Sequence, residues 1–212
     1  MLQDLGIAIA DLKRDLVIEA VTKRSEGGED PIRILDECRH GMTIVGDRFQ
    51  NGDYYLAELM ISAQVFNTAA GILEPYLSRA RPSKPRGKVV LSTLKGDIHD
   101  LGKNILASLL RAQGFEVFDL GVDVPPDQVL DKVKEVRPDF VGFSALMTGS
   151  YPNMKETSQL LKDAGLRDGL KLMVGGGVTT PMVKEYLDAD FQTHDALEGV
   201  DYCLSVMGGG RK

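Results

Sequence analysis

From residue 88 onwards, short apolar runs alternate with longer segments whose apolar residues recur at helical spacing. The runs are short and nearly continuous in hydrophobic residues, which is typical of strands buried in a parallel sheet. This alternation predicts an α/β domain with a flavodoxin-like (Rossmann-type) five-stranded parallel sheet, in the order 2-1-3-4-5, with helices on both faces. The predicted strands are residues 88–92, 115–120, 140–144, 171–175 and 190–193. The predicted helices are residues 101–113, 126–136, 151–164, 180–187 and 194–207.

The N-terminal part of the chain has helical periodicity and no strand pattern. Apolar residues recur at spacings of three to five over residues 5–21, as on one helix face, and Gly27-Gly28 is expected to end that helix. Gly41 and Gly46 interrupt the apolar pattern that follows, and a long helix is predicted over residues 54–77. Together these segments predict a four-helix bundle.

A basic segment with two prolines, residues 79–87, separates the two patterns. Proline cannot continue a helix and stiffens a connection, so this segment is expected to end the last helix of the bundle. We therefore predict two domains, a helical domain over residues 1–84 and an α/β domain over residues 85–212.

Charge and composition argue against nucleic-acid and membrane binding. The formal net charge is −6, which disfavours a polyanion-binding surface. The chain has no run of eighteen apolar residues, and its first residues lack the basic-then-apolar pattern of a secretory signal. Cys38 and Cys203 are far apart in sequence and are expected to be unpaired thiols. We expect a cytoplasmic protein.

Chemically active residues follow the first predicted strand directly. Residues 96–102, Gly-Asp-Ile-His-Asp-Leu-Gly, place a histidine between two carboxylates in a strand-to-helix loop. Ligands of open α/β sheets bind at this edge. His99 could serve there as a metal ligand, a base or a helix cap, and Asp97 could fix its tautomer by accepting one ring N–H. Zinc is disfavoured because no second histidine or cysteine lies at ligand spacing, and His40 and His194 are expected to be solvated or capping.

Two further loops are expected at the same edge and around one groove. Residues 144–148, Ser-Ala-Leu-Met-Thr, follow the third predicted strand, and residues 175–180, Gly-Gly-Gly-Val-Thr-Thr, follow the fourth. We expect Ser144 to hydrogen-bond Asp97, whereas a serine nucleophile would need a Gly-x-Ser-x-Gly elbow that is absent from the sequence. The glycines match neither nucleotide-loop pattern, and indicate either a close approach of a ligand to the backbone or a tight turn.

Taken together, these elements resemble the cobalamin-binding domain. Residues 97–102 match its Asp-x-His-x-x-Gly signature, residues 144–146 its Ser-x-Leu element, and residues 175–176 its Gly-Gly element. Residues 46–49 and 55–60 resemble the helical cap of methionine synthase and of corrinoid methyl-carrier proteins. The resemblance covers nearly the whole chain.

The resemblance implies that the protein binds cobalamin (vitamin B12) or a related corrinoid in the base-off/His-on form, with His99 as the lower ligand of cobalt. Asp97 would hydrogen-bond His99, Ser144 would extend this relay, and Asp100 is left as the helix cap. The displaced nucleotide tail of the corrinoid would lie in the groove between the sheet and its helices. The implied cofactor-binding residues are Gly96, Asp97, Ile98, His99, Gly102, Ser144, Leu146, Thr148, Gly175 and Gly176.

The helical cap is implied to cover the upper face of the corrinoid, where the methyl group sits. Tyr55, Leu59 and Met60 are the candidates for this contact, and packing in the bundle core is their alternative role. One segment departs from the family. Its carriers often have a Gly-Tyr pair near the last strand, where residues 189–193 here are Ala-Asp-Phe-Gln-Thr, so the tail contacts there stay open.

The implied function is that of a methyl carrier in one-carbon metabolism. Such a protein accepts a methyl group from a substrate-specific methyltransferase and delivers it to a second methyltransferase, which methylates tetrahydrofolate or a thiol. A reductive activase is a further implied partner. The length leaves no room for a barrel domain of either enzyme, so a non-autonomous component is expected. The alternatives are a cobalamin-dependent sensor, which would need an output module, and the cobalamin subunit of a radical mutase, which lacks this cap.

Overall fold

The computed structural model describes residues 4–77 and 85–208. Contacts group the chain into two compact units, Met1–Lys84 and Pro85–Lys212, called below the helical unit and the sheet unit. Most of the predicted basic linker, residues 79–84, lies outside the described residues. That the two units are functional domains stays a prediction.

The described part of the helical unit contains four helices, but they are divided differently from our prediction. The helix predicted through residues 5–21 is two helices, because Leu12 adopts a φ of 58°, which no α-helix contains. Gly41 and Gly46 do not interrupt the next helix. A Cβ on Gly41 would lie 2.6 Å from the Gly6 carbonyl oxygen, so this glycine allows two helices to approach closely. The helices are α1 (Leu5–Ala10), α2 (Arg14–Glu26), α3 (Pro31–Gln50) and α4 (Leu56–Leu77).

The segment Leu56–Tyr76 of α4 is long and apolar enough to cross a membrane by length and composition, with a hydropathy of 1.3. Its buried residues nevertheless lie at helical spacing, as on a helix that packs in a bundle: Leu59, Val65, Phe66 and Leu73 are almost fully buried. The helix packs against α3 and α2. We therefore describe α4 as a core helix of the helical unit.

The sheet unit has the predicted fold. Its five strands form one parallel sheet in the order β2-β1-β3-β4-β5, which confirms the fold class and the strand order. The strands are β1 (Lys88–Thr93), β2 (Glu116–Asp119), β3 (Phe140–Ser144), β4 (Lys171–Gly175) and β5 (Phe191–Thr193). The helices are α5 (Leu101–Ala112), α6 (Pro126–Val136), α7 (Tyr151–Asp163), α8 (Pro181–Leu187) and α9 (Ala196–Val206).

The two faces of the sheet are packed differently. Val90, Val141 and Leu172 point to one face, where they join α6, α7 and α8 in one hydrophobic cluster. Because side chains alternate along a strand, Leu91 and Gly142 point to the other face, under α5 and α9, which contact each other. A Cβ on Gly142 would lie 2.6 Å from Leu91 Cδ2, so this glycine makes room for the Leu91 side chain.

Both cysteines are free and buried, as predicted. Burial raises the pKa of the Cys38 and Cys203 thiols to about 12, so both are protonated and unreactive at neutral pH.

Candidate functional site

Four strand ends lie in register at one edge of the sheet. Thr93 of β1 is paired with Ser144 of β3, Ser144 with Gly175 of β4, and Gly175 with Thr193 of β5. The loops that follow these strands therefore begin side by side, at the edge where open α/β sheets bind ligands. The predicted meeting of the loops after the first, third and fourth strands is confirmed.

His99 stands in the loop between β1 and α5 and is hydrogen-bonded to Asp97. Its Nδ1 lies 2.7 Å from Asp97 Oδ1, and its side chain is 48% exposed whereas that of Asp97 is fully buried. A carboxylate can only accept, so Nδ1 carries the proton and Nε2 of the neutral ring is left with a free lone pair. Thr93 Oγ1 donates to the His99 carbonyl at 3.0 Å and holds the loop over the end of β1. The arrangement offers one imidazole nitrogen to a ligand.

Asp97 is satisfied by four donors. Oδ1 accepts from Nδ1 and from the backbone N–H of His99, and Oδ2 accepts from the backbone N–H of Leu146 at 2.6 Å and of Met147 at 2.9 Å. Burial alone would raise the pKa of Asp97, but the four hydrogen bonds outweigh it and hold the pKa below the ordinary 3.8. The carboxylate is therefore charged at neutral pH, and it ties the loop after β1 to the loop after β3.

The predicted hydrogen bond from Ser144 to Asp97 is absent from the described residues, and the relay through Ser144 was wrong. The backbone N–H groups of Leu146 and Met147 occupy the carboxylate oxygen that Ser144 was expected to reach. Ser144 points instead toward α5, where its Oγ lies 4.0 Å from the position of a Cβ on Gly102. Ser144 therefore belongs to the wall of a groove and not to the histidine–aspartate pair.

The loop of His99 is fastened on both sides. The Gly96 N–H donates to Asp123 Oδ1 at 2.8 Å, and the Asp123 N–H donates to the Asp97 carbonyl at 3.0 Å. Asn153 Nδ2 donates to the Lys95 carbonyl at 2.8 Å. Gly96 has a φ of 92°, a region that residues with a Cβ rarely adopt. The loop is thus held in shape by the protein itself, so His99 is preorganised.

Asp100 precedes α5 but does not cap it. Its carboxylate makes no hydrogen bond to the backbone N–H groups of the first turn, and Oδ2 instead accepts from Asn104 Nδ2 at 2.9 Å. The prediction of a carboxylate cap was wrong, because the carboxylate of Asp100 accepts from the Asn104 side chain, one helical turn further along, and not from the backbone N–H groups. The helix-cap alternative for His99 is not supported either, since its ring bonds Asp97.

A groove runs between the sheet and the helices α5 and α9, and one of its lining residues, Gly102, follows His99 by three positions in the chain. Glycine and serine residues form part of its walls, so the backbone itself borders the groove at several points. A Cβ on Gly102 would meet only Ser144 Oγ, at 4.0 Å, and would project into the groove between α5 and β3. The absence of this atom leaves room for a flat group. The groove is lined among others by Gly102, Gly142, Ser144, Met173, Gly175 and His194.

The glycines at the end of β4 and directly after it stand in close contacts, which involve the backbone at Gly175 and Gly176. Gly176 has a φ of 110°, and a Cβ on it would clash with the Ala145 carbonyl. A Cβ on Gly175 would lie 3.1 Å from the Thr193 carbonyl oxygen, and one on Gly177 would lie 2.9 Å from Leu146 Cδ1. Gly176 therefore makes a tight turn, which was one of the two interpretations of these glycines. Gly175 lines the groove, and the approach of a ligand to its backbone stays a prediction.

Other predicted site residues of the sheet unit lie at its surface. Ile98, Leu146 and Thr148 are exposed, and the Ile98 side chain is 71% exposed although it is fully apolar. Large apolar side chains beside a free imidazole nitrogen form a surface that a ligand with an apolar face could cover.

The three candidates in the helical unit differ in exposure. Tyr55 and Met60 are exposed, whereas Leu59 is buried. Burial leaves Leu59 almost no surface for a ligand and favours its alternative role in the core. The contact of Tyr55 and Met60 with a ligand stays a prediction.

Two groove residues were missed by the sequence analysis. His194, expected to be solvated or capping, lies at the groove with its Nδ1 3.1 Å from the Gly176 carbonyl oxygen. Lys103 is buried, and its Nζ lies 2.6 Å from both carboxylate oxygens of Asp119. His194 follows the last predicted strand directly, and Asp119, the partner of Lys103, lies at the carboxyl end of the second predicted strand. Position at the end of a strand is the same signal that singled out His99.

Each of the two units matches a protein-family model. Residues 87–202 match the model described as B12 binding domain, and residues 1–74 match a second model with the same description.

Similar proteins cover nearly the whole chain. The chain is 36% identical over 201 residues to dimethylamine corrinoid protein 1 of Methanosarcina acetivorans, with 94% of each chain covered. A cobalamin-binding protein from Desulfitobacterium hafniense has a crystal structure with a TM-score of 0.72 at 36% identity, covering 96% of this chain and 97% of that chain. The methanol:cobalamin methyltransferase complex of Methanosarcina barkeri contains a chain with a TM-score of 0.86 at 30% identity, covering 100% of this chain and 81% of that chain.

Proposed function

We propose that this chain, which belongs to the B12-binding corrinoid protein family and is a component of a methyltransferase system, carries a methyl group between two enzymes. It accepts the group from a substrate-specific methyltransferase and delivers it to a second methyltransferase, which methylates tetrahydrofolate or a thiol. The observation that carries the proposal is the free Nε2 of His99, oriented by a buried carboxylate, in a chain similar over nearly its whole length to a corrinoid protein.

The residues present fit a corrinoid. His99 offers one imidazole nitrogen, as a lower cobalt ligand requires, and the groove between the sheet, α5 and α9 is open where Gly102 lacks a Cβ. The free ligand atom of His99 and the groove lined by Gly102 support base-off/His-on binding, with the nucleotide tail in the groove. When bound, the cobalt of the corrinoid supplies the atom that accepts and releases the methyl group.

Asp97 acts as the positioning residue of His99. Its carboxylate holds the proton on Nδ1 and fixes the plane of the ring, which directs the lone pair of Nε2 outwards. Its negative charge increases the electron donation of the imidazole. Because Oδ2 also accepts from Leu146 and Met147, a change in the charge or position of this carboxylate reaches the loop after β3.

The two units divide the work in this proposal. The sheet unit, residues 85–212, is the cobalamin-binding domain, and the helical unit, residues 1–84, is the cap. The exposure of Tyr55 and Met60 supports them as the residues of the cap that contact the cofactor. Relatives named for dimethylamine and trimethylamine make a methylamine methyltransferase the first partner to test. A reductive activase is the third proposed partner.

The test is reconstitution of the purified protein with aquacobalamin, followed by its absorption spectrum. We expect wild type to bind and to show a spectrum distinct from the free cofactor, because His99 replaces the cofactor's own base. His99→Ala should give a spectrum that differs from that of wild type, because the cobalt would lose this nitrogen ligand. His40→Ala, which removes an exposed histidine of the helical unit, is the matched control and should resemble wild type. A spectrum of His99→Ala identical to that of wild type would overturn the assignment.

A further inference from the structure

The groove changes character from its floor to its rim. Leu91, Gly142 and Met173 form a buried, apolar floor. Lys103 also lines the groove, but its ammonium group is already paired with both oxygens of Asp119. The floor therefore suits a flat apolar group and offers it no free charge from these residues.

The rim carries an exposed histidine with a free nitrogen. His194 Nδ1 donates to the Gly176 carbonyl at 3.1 Å, so Nε2 holds the lone pair of the neutral ring. Nε2 has no hydrogen-bond partner within residues 4–77 and 85–208. The neighbouring side chains are already engaged: Thr193 Oγ1 bonds Glu198, and Asp195 Oδ1 accepts from the Leu197 N–H at 2.7 Å. His194 thus presents an oriented polar group to the groove.

From this gradient, and on the basis of the proposed function, we infer that His194 binds the ribose–phosphate part of the corrinoid's nucleotide tail. The base of the tail is flat and largely apolar and suits the floor, so the polar ribose–phosphate lies toward the rim. The neutral ring accepts a hydrogen bond from a ribose hydroxyl at Nε2, and the protonated ring donates one to the phosphate. The anchored Nδ1 fixes the direction of this contact.

The test compares two corrinoids that differ only in the tail. Cobalamin carries the nucleotide, and cobinamide is the same corrin without it. Affinities of both are measured by absorption titration for wild type, His194→Ala and the control His40→Ala. We expect His194→Ala to weaken cobalamin binding about fivefold to tenfold, the effect of one hydrogen bond, and to leave cobinamide binding unchanged. His40→Ala should change neither affinity.

Each other result has a distinct meaning. An equal loss for both corrinoids would show that His194 only supports its loop, and no loss for either would show that it makes no contact; both results overturn the inference and leave the proposed function intact. If wild type binds neither corrinoid, the proposed function fails and the inference fails with it. Equal thermal unfolding temperatures of the cofactor-free proteins check that the variant is folded.

Discussion

Each of the two units contains a cluster built around one largely buried charged side chain, Arg24 in the helical unit and Asp97 in the sheet unit. The two clusters differ in whether a hydrogen-bonding atom is left free. In the helical unit Arg24 is 13% exposed and donates four hydrogen bonds, two to Glu29 and two to Glu37. The hydrogen bonds that Arg24 donates to Glu37 and Glu29 raise the guanidinium pKa above its usual value. In the sheet unit Asp97 is likewise satisfied, but its partner His99 keeps one nitrogen free at the surface.

This difference separates a structural ion pair from a binding site. The Arg24 cluster is closed, because each guanidinium nitrogen already has a carboxylate partner. The Asp97 cluster is open, because its buried carboxylate orients a group that can still bind something else. We therefore expect substitutions in the first cluster to change only stability, and substitutions in the second to change stability and ligand binding together.

Replacing Asp97 by asparagine should have the largest effect. An amide cannot accept all four hydrogen bonds, so its NH2 must face either the N–H groups of Leu146 and Met147 or those of His99. We expect a loss of about 3 kcal/mol in the free energy of unfolding, measured in urea, and weaker corrinoid binding. The control Asp100→Asn, at an exposed carboxylate, should stay within about 0.5 kcal/mol of wild type. Unchanged corrinoid binding by Asp97→Asn would mean that the Asp97 cluster, like the Arg24 cluster, has only a structural role.

Replacing Arg24 by methionine should have the next largest effect. The substitution leaves Glu29 and Glu37 side by side without a cation, although both are about a third exposed and partly solvated. We expect a loss of about 2 kcal/mol in the free energy of unfolding and no change in corrinoid affinity. The control Arg14→Met removes an exposed arginine from the same helix and should cost less than about 0.5 kcal/mol. A large loss of affinity in Arg24→Met would break the distinction between the clusters.

The acid dependence of stability should carry a smaller signature of Asp97. Its pKa is lower in the folded than in the unfolded chain, so its contribution to stability is complete above the unfolded value near 3.8 and is lost as the pH falls through the folded value. The difference in unfolding free energy between wild type and Asp97→Asn should therefore shrink below about pH 4. A urea titration series between neutral and acid pH measures it. A difference that grows with acidity would contradict the lowered pKa.

Gly102→Ala should change stability least and in the opposite direction. Alanine is the better helix former, so we expect a gain of up to about 0.5 kcal/mol in the first turn of α5. The new Cβ enters the groove, so cobalamin affinity should fall while cobinamide affinity changes less. Gly71→Ala, in α4 with open space around it, is the control and should leave both affinities unchanged. If Gly102→Ala changed the affinities for cobalamin and cobinamide by the same factor, the tail would not pass this position.

The sheet unit was predictable because its strands are short apolar runs that are visible in the sequence, and because the carboxyl ends of parallel strands lie at one edge of the sheet. Apolar runs defined the strands to within one residue or two, and the loops that follow β1, β3 and β4 converge as expected. The histidine–aspartate pair followed from spacing alone, since residues two apart in one loop can reach each other.

What could not be predicted depends on the backbone. The second pair of donors to Asp97 comes from the N–H groups of Leu146 and Met147, which every residue except proline possesses and which leave no sequence signal. The break at Leu12 interrupts an apolar spacing that remains compatible with one helix. Gly41 was interpreted as an interruption of the helix. A glycine is needed there because Gly6 lies close to it in the fold, and this proximity cannot be seen in the sequence.

The most direct test of the central claim is electron paramagnetic resonance of the protein reconstituted with cob(II)alamin. The unpaired electron of low-spin cobalt(II) couples to the nucleus of the axial nitrogen, which gives a triplet for ¹⁴N and a doublet for ¹⁵N. Protein produced with ¹⁵N-labelled histidine should give doublets, and labelled His99→Ala should lose them. Triplets from labelled wild type would mean that the cofactor's own base still holds the metal, and would contradict the assignment of His99.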